Sequence, residues 1–233
     1  MIVWLLVYQR LHANASLADA VAGAVDPHDG VLSGRHLSAN TGAYSRARQR
    51  LRPDVAEDVA DRVFASLLAA TPPALAGRRA FVLDGTTLTL APTPELRRAY
   101  PPATNQHGPG TWPVALAVVA HELASGCAVR PELGPMYGPH ATGELHLALR
   151  LLARLPARSL LLADRNFGVF AFAHAATSAG HDVLTRLTDV RFRALLRSAR
   201  AVAPGEWVST GRPAPPTAGH TPRSPPTPAS ASA

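Results

Sequence analysis

Two aspartates each follow a short apolar run in this chain: Phe81-Val82-Leu83-Asp84 and Leu160-Leu161-Leu162-Ala163-Asp164. A strand buried on both faces reads as a continuous apolar run. An unpaired carboxylate cannot stay in such a core without a large cost, so each acid is expected where its strand leaves the core. Ligand chemistry in open α/β sheets collects outside the strand ends. Two carboxylates converging there from separate strands suit a divalent cation acting on phosphates. Each acid taken alone has a plainer reading: Asp84 opens a turn with Gly85, and Asp164 caps the next helix. The matched contexts of the pair favour the cation site.

The elements that must position these acids fall into two regions. Residues 1–75 read as helical, with Trp4, Leu5, Val7, Leu11, Leu17, Ala20, Val21 and Ala24 recurring at three- and four-residue intervals. Ser16 marks a helix start and residues 26–30 (Asp-Pro-His-Asp-Gly) a turn. An amphipathic helix follows Pro53 through Val55, Val59, Val63, Phe64, Leu67 and Leu68. Before it, Arg46, Arg48, Arg50 and Arg52 alternate along one segment. On a continuous helix Arg46 neighbours Arg50, and Arg48 neighbours Arg52, giving a basic surface that repels itself without counter-charge. That charge is met either by Asp54, Glu57 and Asp58 or by phosphates.

From Arg79 onward strands are expected at 80–84, 87–91, 113–121 and 127–130. A helix at 143–155, a strand at 159–163, a helix at 168–179 and a strand at 181–187 complete the series. Such an order implies an α/β core, antiparallel at first and parallel afterwards. Beyond Ser209 there is no Val, Leu, Ile, Met or aromatic residue, and prolines are set among Ser, Thr, Ala and Gly. Residues 201–233 are therefore expected to form a disordered, low-complexity tail.

Composition bounds the function. A chain of 233 residues, 47% hydrophobic, holds one substantial core. No apolar run approaches the roughly 20 residues of a membrane helix. Residues 1–8 lack the basic leader and cleavage site of a signal peptide and read as the first turns of a core helix. The single cysteine, Cys127, excludes an internal disulfide. The net charge is +7 and all 23 basic side chains are arginine, which favours polyanionic partners.

The ordered motifs narrow the reading. They are Asp84-Gly85-Thr86-Thr87, a loop carrying Asn105-Gln106, Gly108, Gly110 and Pro113, Gly143-Glu144 opening a helix, and Ala163-Asp164-Arg165 with Phe167. Gly180, Asp182-Val183 and Arg186 follow, and Thr41-Gly42-Ala43-Tyr44-Ser45 with Ala47-Arg48-Gln49-Arg50-Leu51 precedes them. Over roughly residues 3–195 the chain resembles the insertion-sequence-4 family of DDE transposases. The resemblance implies a helical N-terminal domain over 1–75 and a ribonuclease-H-like core over 76–200. It also implies Mg²⁺ or Mn²⁺ held by acids that include Asp84 and Asp164, for phosphodiester cleavage and strand transfer. DNA, both element ends and target, is the implied partner. Arg46, Arg48, Arg50 and Arg52 would contact it, while Arg165 is either structural or a further phosphate contact. The family further implies a cytoplasmic, nucleoid-associated bacterial protein, acting as a homo-oligomer or in mixed oligomers with full-length transposase.

One part of the pattern is missing. The family's third acid lies in a tyrosine–arginine–glutamate–lysine signature, but this chain has no lysine and its last tyrosine is Tyr137. Glu206 is the only glutamate after Asp164, and it follows Pro204-Gly205, a poor lead-in to a helix. The expectation is a truncated or frameshifted transposase with an incomplete core, inactive alone, or else a non-catalytic DNA-binding fragment or regulator. Other assignments fit less well. A haloacid-dehalogenase-like loop would need its nucleophile at Val82, and no G-x-G-x-x-G turn follows a strand. His140, Glu144 and His146 are not expected to share a metal, since helical residues two apart face different ways.

Overall fold

Ten consecutive residues, Ala80–Thr89, form one strand, β1, in place of the two short strands expected around Gly85. The computed structural model describes residues 2–12, 15–25, 40–75, 77–106 and 108–209. The turn expected at 26–30 and the sequence from 210 onward lie outside the described residues. Continuity of β1 comes from its partner. Strand β4 (Val114–Glu122) runs antiparallel to it over the whole length, from Phe81 opposite Glu122 to Thr89 opposite Val114. A full ladder of backbone hydrogen bonds outweighs the weakness of one glycine.

Three more strands complete the main sheet: β5 (Glu132–Pro135), β6 (Leu160–Ala163) and β7 (Asp182–Thr185). The order is β5-β4-β1-β6-β7, with β4 antiparallel to β1 and β5, and with β1, β6 and β7 mutually parallel. This is a mixed α/β fold built on a mixed five-stranded sheet. The strand expected at 127–130 is reduced to one bridge, Ala128 to His121, because Glu122–Gly126 closes a tight turn there. A two-residue hairpin, β2 (Thr104–Asn105) and β3 (Gly108–Pro109), follows the short helix α5 (Pro94–Ala99) in the connection to β4.

Parallel strands need crossovers, and two helices supply them. Helix α6 (Glu144–Leu151) joins β5 to β6, and α7 (Phe170–Ser178) joins β6 to β7. Both pack on one face, where Leu147, Leu151, Phe172 and Ala176 meet Phe81, Leu83, Val118 and Leu161 in the principal core. The other sheet face is covered only in part, with Ala115 and Ala117 of β4 buried on it. Val82, Leu133 and Leu184 lie on it by register and are each at least 39% exposed.

The helical region divides. Helices α1 (Ile2–Leu11), α2 (Leu17–Val25) and α3 (Thr41–Gln49) gather around Leu5, Ala20, Val21, Ala24 and Tyr44 as a small separate core. Ser16 and Asp19 form a reciprocal cap at the start of α2. Helix α4 (Pro53–Ala70) instead packs on the sheet's core through Phe64, whose ring lies 6.3 Å from that of Phe81. Arg130 ties it down through Glu57 at 2.6 Å and Asp61 at 3.3 Å. No helix among the described residues is long and apolar enough to cross a membrane.

Residues 201–208, expected within a disordered tail, are instead ordered. Helix α8 (Asp189–Leu196) is followed by a hairpin of β8 (Arg200–Ala203) and β9 (Glu206–Val208). Pro204-Gly205 makes its turn, with Gly205 at φ +79°, a conformation glycine adopts without strain. Trp207 then packs edge-on against Phe192 of α8 at 6.2 Å. That ring contact and a 2.9 Å hydroxyl contact between Ser198 and Ser209 join the hairpin to the α8 region. Glu206 accordingly lies on a strand, fully in solvent-facing sequence, and opens no helix.

Burial of one titratable group gives the fold an acid sensitivity. Gly180 (φ +82°) ends α7, and the His181 N–H bonds back to the Ala176 carbonyl at 2.9 Å. The His181 ring is 3% exposed, and its Nδ1 has no hydrogen-bond partner. Burial holds its pKa below the ordinary histidine value, opposed only by the Leu152 carbonyl. The folded state therefore binds fewer protons than the unfolded chain. Stability should fall as pH drops below the ordinary histidine value of about 6.5 and level off below the folded value. Urea midpoints measured between about pH 7 and 5 should decline for the wild type. They should decline less for His181→Gln; equal slopes would assign the loss to other groups.

Candidate cation and nucleic-acid site

Asp84 lies inside β1, not at its end, because β1 continues beside β4 after its other neighbour has stopped. That neighbour is β6, paired in parallel from Ala80 opposite Leu160 to Leu83 opposite Ala163. One residue further along each strand stand Asp84 and Asp164. The pairing thus ends one residue short of both aspartates: Asp84 continues in β1, and Asp164 is the first residue after β6.

The plainer readings of both acids fail on geometry. Asp84 does not open a turn: its Oδ1 accepts from the Gly85 N–H at 2.8 Å within a continuous strand. Asp164 does not cap α7, which begins six residues on with Val169 at its N-cap. Its Oδ1 accepts from the Asn166 N–H at 2.8 Å, and its carbonyl accepts from the Thr185 hydroxyl at 2.7 Å. These bonds fix the loop after β6 against β7. Both carboxylates are exposed, and neither has a basic ion-pair partner among the described residues.

Side-chain alternation gives the site its faces. Leu83 points into the helix-covered core, so Asp84 points to the other face, with Val82 and Thr86. There it lines a recess of about 480 Å³ with Val119 and His121 of β4. His121 was not singled out in the sequence. Period-two alternation in β4 places it with Val119, and the register sets it opposite Val82, diagonal to Asp84.

Glu144, at the start of α6, approaches from the opposite face. A Cβ on Gly85 would lie 2.5 Å from its Oε1. A side chain at position 85 would have to displace the Glu144 carboxylate, so the glycine makes room for that group and opens no turn. The sheet separates this carboxylate from the aspartate pair. Among the described residues no group of three or more His, Cys, Asp or Glu side chains comes together to hold a metal. His140, Glu144 and His146 form no such group. Asp84 and Asp164 offer two hard oxygen donors, which fits a Mg²⁺-type ion that keeps its waters and takes further oxygens from phosphate.

The arginines of the helical region are arranged differently from a single helical stripe. Helix α3 stops at Gln49, and Arg52 is extended (φ −70°, ψ 138°) as the N-cap of α4. Pro53 imposes this by disfavouring helical backbone in the residue before it. Arg48 and Arg52 therefore do not stack one turn apart. Arg52 pairs with Asp54 at 2.6 Å, whereas Glu57 binds Arg130 and Asp58 binds Arg62. Arg46, Arg48 and Arg50 are exposed and belong to no ion pair among the described residues. Arg165 is exposed beside Asp164, with its carbonyl accepting from Arg191 at 2.8 Å. No protein-family model matches this chain, and no curated protein matches it.

Proposed function

We propose that this chain is a DNA-binding protein of the DDE transposase class, with a ribonuclease-H-like core in which Asp84 and Asp164 hold a divalent cation. The observation that supports the reading is the parallel β1–β6 register, which ends at Leu83 opposite Ala163, the residues just before the two acids. The strand order, with a single antiparallel strand second in sequence within the main sheet, supports it. Mg²⁺ or Mn²⁺, when bound, would polarise a phosphodiester and lower the pKa of a bound water. The two carboxylates orient the ion, and their own backbone hydrogen bonds keep them from turning away. Arg165 stands next to Asp164, where it would meet the phosphate flanking the reacting one.

Two acids hold a cation without completing a two-ion site. The purified chain should therefore bind Mn²⁺ and DNA yet neither cut nor join strands. This favours the reading of a non-catalytic DNA-binding protein, or of a regulator in mixed oligomers, over an autonomous recombinase. Mn²⁺ titration by calorimetry or paramagnetic relaxation provides the test. Asp84→Asn and Asp164→Asn should each weaken binding by at least about tenfold, on the scale of losing one ligand from a small set. Unchanged Mn²⁺ affinity in both variants would end the cation-site reading. Metal-dependent nicking of DNA by the wild type, abolished in Asp84→Ala, would instead restore full catalytic function and point to a further ligand.

A further inference from the structure

At the pole of the sheet away from the aspartates, three arginines surround a recess of about 410 Å³ with Pro73, Gly77 and Pro156. Arg78 and Arg79 lead into β1, and Arg158 lies in the loop before β6. Arg158 has φ +59° and is the only non-glycine residue with positive φ among the described residues. An arginine has no local means of relieving that conformation, which Gly or Asn would adopt more easily. The turn aims its carbonyl at Arg78, whose Nε and Nη2 donate to it at 3.3 Å each. A glycine would present the same carbonyl without strain. The carbonyl explains the turn, and the side chain is left to explain why the residue is arginine.

The charges around the recess do not cancel. Arg78 pairs with Asp182, and Arg79 with Glu122. Arg79 also donates to the carbonyls of Leu68 and Thr71, the latter at 2.9 Å. Arg158 has no partner among the described residues, so the cluster carries an excess positive charge. Among the described residues Arg78 Nη1 and Arg79 Nε likewise have no hydrogen-bond or ion-pair partner. Three guanidinium groups, two of them locked by neighbours, form donors preset around one concavity. Such a fork arrangement matches the oxygens of a phosphate group better than it matches a planar apolar ligand.

We propose that Arg158, with Arg78 and Arg79, forms a phosphate-oxyanion site at this pole, separate from the aspartates. The ligand is either a backbone phosphate of nucleic acid or a free oligophosphate. The proposal does not rest on the cation-site reading, and the first arm of its test uses neither metal nor DNA. The full chain, as wild type and as Arg158→Gly, is titrated with inorganic pyrophosphate while the arginine Nε–H resonances are followed. A random-sequence duplex is titrated separately at several salt concentrations. Arg158→Gly should keep or raise the melting temperature, because glycine relieves the left-handed backbone while keeping the carbonyl. It should abolish the pyrophosphate-dependent shifts of Arg78 and Arg79 if the ligand is a free oligophosphate. If the ligand is a nucleic-acid phosphate, it should lower duplex affinity and reduce the salt slope by about one. A variant that folds and behaves as wild type in both titrations overturns the site.

Discussion

Replacing Arg79 with methionine should cost this protein about 3–5 kcal/mol of stability, the range for breaking a buried ion pair from one side. Glu122 at the end of β4 is completely buried, and Arg79 at the entry to β1 is 18% exposed along its side chain. Removing the guanidinium leaves a buried carboxylate with only Ser125, whose N–H and hydroxyl each donate to it at 2.7 Å. It also frees the α4 carbonyls that Arg79 caps, so helix and sheet lose their link together. A loss of this size is a large part of the 5–15 kcal/mol that holds a typical domain. Urea denaturation should show a lower midpoint with an unchanged slope. The double variant Arg79→Met, Glu122→Leu should recover part of the loss, because it removes the uncompensated charge. A single-variant cost below about 1 kcal/mol would mean that Glu122 is reached by water.

The same pair predicts acid lability. Burial works to raise the Glu122 pKa, but the Ser125 hydrogen bonds and Arg79 outweigh it and hold the value below normal. A carboxylate with a depressed folded pKa adds stability that is complete above its unfolded value. That stability is lost as pH falls through the folded value, which lies below the ordinary glutamate range. This lies well under the window in which His181 acts, so the two losses separate on a pH axis.

How far the sequence carried the fold depends on the kind of signal. The apolar runs before Asp84 and Asp164 located β1 and β6, because strands buried on one face and paired on both edges have little freedom in composition. Their adjacency was expected only from the matched contexts, and the register of Leu83 with Ala163 now supplies it. The position of Asp84 inside a strand was missed, since Gly85 reads locally as a turn. What keeps the chain extended is β4, some thirty residues away in sequence, and what occupies the space beside the glycine is the Glu144 carboxylate. His121 carried no local signal at all: it becomes part of the recess only once the antiparallel register is fixed. The hairpin at 200–208 escapes a reading by average composition, because the contact of Trp207 with Phe192 depends on placement and not on content. Helix α4 was assigned with its sequence neighbours, whereas Phe64 and the Arg130 ion pairs bind it to the sheet.

The strongest functional effect should come from the arginines of α3. Arg46, Arg48 and Arg50 are exposed on one short segment and carry no carboxylate partner among the described residues, unlike Arg52. Three like charges within one turn and a half repel each other, and nothing in the described fold offsets that cost. A polyanion does, and on binding it releases condensed counterions. Each phosphate contact contributes about −0.9 to the slope of log affinity against log salt on duplex DNA. Replacing all three with alanine should therefore flatten the slope by about 2.7. Between roughly 50 and 200 mM salt, that difference removes about 40-fold of the wild type's salt-dependent loss. Alanine favours helix, and the small core around Leu5, Val21 and Tyr44 is untouched, so circular dichroism should show α3 retained. Arg52→Ala alone should change the slope little, because its charge is already held by Asp54. Fluorescence anisotropy with a duplex at several salt concentrations measures both. If the triple variant keeps the wild-type slope, these arginines face solvent only, and the polyanion-binding surface of this protein lies elsewhere.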